Sequence, residues 1–153
     1  MKRIEVRLAL PVVAPLLDVI KELADSLKKS LAAPSDLKEL DEDLKDAWVG
    51  ELLSAQNDDV HTLLSLFDDQ FFTEGVVSFD ESNAEVIVRA CAAVRLRLRE
   101  VYLRPLADET LESGDVELED LDERLRKAFM CYLFLATIQE LIIQHLDESI
   151  LGS

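Results

Sequence analysis

A chain of 153 residues is the length of one ordinary domain and can bury a core without metal or disulfide support. Hydrophobic residues make up 49% of it while Gly and Pro number four each, which excludes a disordered chain and a turn-rich β-sandwich. A formal charge of -16 excludes a protein that neutralises nucleic-acid phosphates or anionic lipid over a broad face.

The positive start at Lys2 and Arg3 runs into Ile4, Glu5, Val6 and Arg7, without the uninterrupted apolar segment and cleavage site of a secretory signal. The cytoplasm is the expected location. Ile4, Val6, Leu8 and Leu10 alternate with Arg3, Glu5, Arg7 and Ala9, a period of two that predicts a strand, and Leu10 is biased to extended backbone by Pro11. Residues 1–11 therefore read as an extended arm and residues 12–153 as a helical bundle. The arm can pair with a second strand-like piece at residues 76–79 or dock on a partner subunit.

Five helices follow in chain order. The first covers residues 15–31, with Pro15 in its first turn and Leu16, Ile20, Leu23, Leu27 and Leu31 at helical spacing. The second opens at Asp36, which has Glu39 three residues on, and carries Leu37, Leu40, Leu44, Ala47, Trp48 and Leu52 along one face, weakened at Gly50. Asn57 and Asp58 are natural caps for a third, with Val60, Leu63, Leu64, Phe67 and Phe71 inward and Gly75 as its stop. A capping box of Ser82 and Glu85 opens the fourth, residues 83–103, which Pro105 closes. After a short piece at 106–112 and a turn at Ser113 and Gly114, the fifth covers residues 119–148, a spine of roughly 45 Å. The fold class is all-α: one domain, an irregular bundle of five to six helices with a short N-terminal strand or hairpin.

Residues 128–136 are apolar without interruption. A membrane span wants about 20 mostly apolar residues and loses about 3 kcal/mol for a central charge, and Glu140 stands here with Gln139, Gln144 and His145 around it. Thr137, Glu140, Gln144 and Asp147 form a narrow polar stripe opposite Cys131, Leu135, Ile138, Ile142 and Leu146, the pattern of a buried helix with one wet edge.

Catalytic signatures are missing: there is no Gly-rich phosphate loop, no His-Glu-x-x-His, no Cys-x-x-Cys and no Gly-x-Ser-x-Gly. Asp58 and His61 share a helix face, but a two-metal bundle needs a second such pair, and His145 has Ile142 where the acid would stand. Counted from Asp115, the sixth and twelfth positions of a calcium loop hold Asp120 and Arg126 instead of Gly and Glu. No metal, no cofactor and no catalytic residue is expected. Cys91 and Cys131 sit in apolar runs as small hydrophobes. Gln139 and His145 project into the apolar arc of the last helix, so each needs a hydrogen-bond partner in the core or a ligand in an interhelical pocket with Cys131 and Tyr132.

Charge is unevenly spread. Residues 46–88 hold ten acids and no Lys or Arg, and residues 106–123 hold nine acids and again none, while between them the fourth helix carries Arg89, Arg95, Arg97, Arg99 and Arg104. Its main apolar stripe is Ile87, Cys91, Val94, Leu98 and Val101, and a thinner row of Ala92, Leu96 and Leu103 lies on the back. The arginines either pair with the chain's own acidic segments or, as Arg95, Arg97, Arg99 and Arg104 beside Leu96 and Leu103, meet an acidic partner or a second copy. The expected function is a non-catalytic protein–protein interaction module, self-association included, with no nucleic acid and no membrane as partner. The alternative is a small-molecule-binding bundle with its pocket near Tyr132, Gln139 and His145.

Overall fold

A computed structural model describes residues 3–32, 42–114 and 117–146. The elements are β1 (Arg3–Arg7), α1 (Leu10–Leu27), α2 (Glu42–Ser65), α3 (Asp69–Glu74), β2 (Val76–Asp80), α4 (Ala84–Val101), α5 (Asp108–Ser113) and α6 (Glu123–His145), with a 3-10 turn at Leu118–Asp120 before α6. Together they form an all-α bundle with a short antiparallel hairpin of distant strands, β1 against β2.

The apolar run at residues 128–136 fills the centre. Phe129, Cys131, Leu135, Ile138 and Ile142 of α6 are buried, as are Ile87, Ala90, Cys91, Val94 and Leu98 of α4 and Leu16, Leu17, Ile20, Leu23 and Leu27 of α1. Three helices thus bury one stripe each against the other two, and the small side chains Ala90 and Cys91 suit close approach of the backbones. Among the described residues α6 alone has the length and apolar composition of a membrane span, and its apolar stripe is buried in this core. The polar stripe of Thr137, Glu140 and Gln144 is exposed, as its spacing predicts, and its last member, Asp147, lies outside the described residues.

Several boundaries differ from the sequence expectation, each for a local reason. α1 begins at Leu10, not Pro15, because Pro11 takes the first-turn position, where a missing N–H costs nothing. Pro15 lies inside the helix on its exposed side. The extended arm accordingly stops short of residue 11. The capping pair Asp36 and Glu39 lies outside the described residues. The second and third predicted helices are one, α2, since Asn57 and Asp58 stay helical; neighbouring Asp59 takes two hydrogen bonds from Arg89 at 3.1 Å each instead of turning back on its own backbone. The break comes at Asp68, whose Oδ1 accepts from the Phe71 N–H at 3.2 Å and starts α3.

The Ser82 and Glu85 capping box does not form. Ser82 donates its N–H to Asp80 Oδ1 at 2.8 Å, its hydroxyl bonds the same atom, and Asn83 Oδ1 accepts the Asp80 N–H at 2.9 Å. These bonds, chiefly from Ser82, hold the Asp80 carboxyl below its ordinary range. Glu85 instead pairs with Arg89 at 3.1 Å. α6 begins at Glu123, later than expected, because Asp122 caps it by accepting the Leu125 N–H at 2.8 Å.

Gly75 ends α3 in the left-handed region at φ 71°, the stop expected of it. Its carbonyl also accepts the Leu8 N–H at 2.7 Å, and a Cβ here would stand 2.8 Å from the Leu8 carbonyl oxygen. One residue therefore stops a helix and lets β1 close on β2.

Leu135 has no exposed surface. Replacing it with Ala is expected to cost about 2–5 kcal/mol, through lost apolar burial and the cavity left behind, read as a lower denaturant midpoint.

Candidate functional site

The arginine-rich helix α4 turns most of its charge into the fold. Arg97 is buried, 6% exposed. Its guanidinium donates to Ser26 Oγ at 2.6 Å, to Ser30 Oγ at 2.9 Å, and to the carbonyls of Ser30 and Leu31 at 3.2 Å each, with Glu100 3.8 Å from Nε. These acceptors lie in the last turn of α1 and just beyond it, where a helix leaves carbonyls unsatisfied and where positive charge is favoured. Gln56 of α2 reaches the same place: its amide donates to the Leu27 and Ser30 carbonyls at 2.8 and 3.1 Å, and its Oε1 accepts the Ala32 N–H at 2.9 Å.

Arg95 faces α6. It donates to Gln139 Oε1 at 2.6 Å and stacks over the Tyr132 ring with its guanidinium carbon 4.4 Å from the centroid. Gln139 passes the link on by donating to the Val88 carbonyl at 3.0 Å. Arg89 bridges Asp59 of α2 and Glu85 of its own helix. Arg104 is exposed and donates to the Glu100 carbonyl at 2.6 Å, while Arg99 is half-buried.

Of the residues expected on an interaction surface, Arg97 and Leu103 are therefore inside the protein, at 6% and 1% exposure. The rear row of Ala92, Leu96 and Leu103 does not separate the buried from the exposed members because the helix ends at Val101, so Leu103 leaves the row and turns into the core, while Arg97 is drawn in by acceptors distant in the chain. Leu96 is exposed, at 41%.

The four residues grouped as a candidate pocket are divided. Tyr132 and Gln139 meet through Arg95, and Cys131 is buried against α1, its thiol 4.0 Å from the Leu16 carbonyl oxygen. His145 is exposed at the far end of α6, roughly 20 Å along the helix axis from Tyr132, where the core arc has run out, and it borders β1 instead. His61 is exposed too, in a cleft between α1 and α2 with Lys21 and Lys28. Among the described residues no group of three or more His, Cys, Asp and Glu side chains is placed to hold a metal.

A surface that the pattern half indicates lies between α2 and α4. Leu52 and Ala55 face Ala92, Ala93 and Leu96 across a groove of about 430 Å³, with Leu31 and Ala32 at its base and the Asp59–Arg89 pair to one side. Toward its N-terminus α2 continues the same row with Trp48 and Leu44, 49% and 58% exposed, each four residues before the next. Glu51 and Asp58 follow Leu44 at intervals of seven residues and edge that row with exposed carboxylates. The sequence carries the signal in two pieces: the rear row of α4 with Leu96, and an apolar face on α2 within a stretch that has no Lys or Arg after Lys45 until Arg89. What it does not carry is that the first half of α2 projects this face outward. Comparison with protein-family models, with curated proteins and with solved structures gave no match.

The Arg97 contacts can be tested by removing the charge alone. Arg97→Met keeps the apolar stem but takes the guanidinium from the Leu31 carbonyl and from both serine hydroxyls and leaves the Ser30 carbonyl to Gln56 alone, so a loss of about 2–3 kcal/mol in urea unfolding is expected. A loss below about 0.5 kcal/mol would show that water or the serines replace it.

The buried thiols make stability depend on pH. Burial pushes the Cys91 and Cys131 thiols up to about 12, whereas a thiol in the unfolded chain ionises near about 8.5. Between those values the folded state holds protons the unfolded state has lost, so stability is level below about pH 8 and falls as pH rises, by up to about 1.4 kcal/mol per pH unit for each thiol. Melting temperatures from pH 8 to 11 check this, and the double variant Cys91→Ala, Cys131→Ala should fall less steeply. Tyr102, also raised by burial and by its bond to Glu22, leaves a residual slope.

Proposed function

We propose that the chain is a non-catalytic protein-interaction module whose α2–α4 groove seats an amphipathic helix of a partner protein, one whose apolar stripe is edged by arginine or lysine. The observation that carries this reading is the row Leu44, Trp48 and Leu52 on α2 leading into Ala92 and Leu96 on α4, apolar, partly open to water and bordered by carboxylates. A helix laid in a groove presents anchors at such spacing, and a partly exposed tryptophan is a frequent centre of binding energy. The acidic edge selects a basic partner and disfavours a second copy at this place, because two chains of charge -16 would bring like charges together. A small-molecule pocket at Tyr132 and Gln139 has less support, since Arg95 already engages both side chains.

Trp48 is the chain's sole tryptophan, and it stands one turn before groove-lining Leu52, so its fluorescence reports on a helix laid along the row. The probe is a synthetic amphipathic helix with leucines at helical spacing flanked by arginines, compared with the same peptide flanked by glutamates. Saturable binding with a blue shift is expected for the arginine peptide alone, and it should be lost in Leu96→Asp. That variant adds negative charge, so attraction of a basic peptide to an acidic protein in general would grow rather than vanish. Equal binding by both peptides, no binding by either, or full binding to Leu96→Asp would refute the reading.

A further inference from the structure

β1 has one edge against β2 and one edge open. Leu8 gives its N–H to Gly75, in line with the register that sets Val6 opposite Val77 and Ile4 opposite Phe79. In an antiparallel ladder the residues alternate, so the even-numbered residues turn their backbone groups to β2, and Arg3, Glu5 and Arg7 turn theirs to the other side. The sheet has two strands, so among the described residues no third strand takes those groups. A trough of about 580 Å³ lies along this strand, lined by all five of its residues and by Leu141 and His145 from the end of α6. The edge is neither bulged nor interrupted by proline; what guards it against indiscriminate pairing is its shortness and the charge of Arg3, Glu5 and Arg7, which admits only a strand of matching charge order.

We propose that a second copy of the chain adds its own β1 to this edge, antiparallel, in the register that places Val6 opposite Val6 of the second copy. Symmetric pairing must set outward-turned residues opposite each other, which leaves registers centred on Ile4, Glu5 or Val6. Centring on Glu5 puts Arg3 against Arg7 and Glu5 against Glu5, like charge on like. Centring on Ile4 also sets Arg3 opposite Glu5, but among the described residues it pairs only residues 3–5, whereas centring on Val6 carries the ladder on to Ile4 and Leu8. Centring on Val6 sets Glu5 opposite the second copy's Arg7 and Arg7 opposite its Glu5, two complementary pairs, and brings half-buried Ile4 beside the second copy's Leu8 on the core face. The strand itself is net positive in a chain of charge -16, so this is an edge where two copies meet without adding carboxylate to carboxylate. The product is one four-stranded sheet, β2–β1–β1–β2, joining two bundles.

Sedimentation or native mass spectrometry at about 0.15 M salt tests this, using the full chain and the two charge-reversal variants Glu5→Arg and Arg7→Glu. Glu5 and Arg7 are both exposed, so circular dichroism should show both variants folded. The wild type is expected to dimerise. Glu5→Arg alone sets arginine against arginine in both cross-strand pairs, and Arg7→Glu alone sets glutamate against glutamate, so each variant should be monomeric. Mixed in equal amounts they restore an arginine–glutamate match in both pairs, and a heterodimer should appear that neither forms alone. Association within one chain cannot produce that result. A wild type monomeric at every concentration, a dimer retained by either single variant, or a mixture that stays monomeric would overturn the proposal. Retention by Arg7→Glu alone would assign the contact to the Ile4-centred register instead.

Discussion

The C-terminal end of α1 sets the arrangement of the helices around it. That helix ends without a glycine after its last turn and without a basic residue in it, so its terminal carbonyls need donors from elsewhere. Gln56 from α2 supplies the Leu27 carbonyl, and Arg97 from α4 joins Gln56 on the Ser30 carbonyl, three residues past the helix end. Because one backbone oxygen is shared, α2 and α4 are held at a set distance from α1 and hence from each other. The groove between them is the space this polar knot leaves open. An apolar pair at the same positions would pack, but it would not dictate the relative height of the helices along their axes, which directional hydrogen bonds do.

The same knot explains how a chain of charge -16 uses its few cations. A buried guanidinium is costly unless its donors are met, and the two terminal nitrogens of Arg97 reach four neutral oxygens, two serine hydroxyls and two backbone carbonyls, in α1 and the segment after it, while its Nε has only Glu100 nearby, at 3.8 Å. Arg95 directs its charge to Gln139 and the face of Tyr132, and Arg89 to Asp59 and Glu85. Part of the positive charge that the sequence concentrates on one helix, Arg97 and the half-buried Arg95, is thereby drawn inward, and carboxylates such as Glu51 and Asp58 are left to face solvent. The exposed carboxylates Glu51 and Asp58 beside the α2 row are the charge on which the proposed choice of a basic-edged helix rests.

How much of this can be read from the residues depends on the range of the forces involved. The buried stripe of α6, the existence of two short strands, the Gly75 stop and the all-α class follow from periodicity and backbone sterics, which are local; that the strands, far apart in the chain, pair with each other is left open by the pattern. The continuity of α2 through Asn57 and Asp58 is not legible, because a cap residue mid-helix is decided by whether a distant group takes its neighbours, here Arg89 on Asp59. Arginine mostly stays at surfaces, so a wheel puts Arg97 there; its burial depends on carbonyls 66 and 67 residues away. The Ser82 box fails through a rival bond at Asp80, two residues back, a competition that helix propensity does not register. The groove is half legible for a related reason: its α4 row is visible as a surplus apolar face, while its α2 row resembles ordinary core.

The two surfaces place different demands on the fold. The groove is bounded by long helices whose spacing is set by buried, many-membered contacts, so opening it requires breaking the Arg97 and Gln56 knot and exposing core. β1 is held by a five-residue ladder, by Leu8 on Gly75 and by Ile4 and Val6, which are only half-buried. Local opening draws on the least protected segments first, and by that measure β1 separates from the bundle long before the helices part. A strand that is weakly held by its own chain gains most from a second ladder, since pairing on both edges satisfies backbone groups that would otherwise face water and covers side chains the single hairpin leaves half exposed. Association at β1 and order within β1 therefore reinforce each other, and salt acts on both by screening the repulsion between two acidic bundles while leaving the shorter-range backbone bonds of the ladder in place.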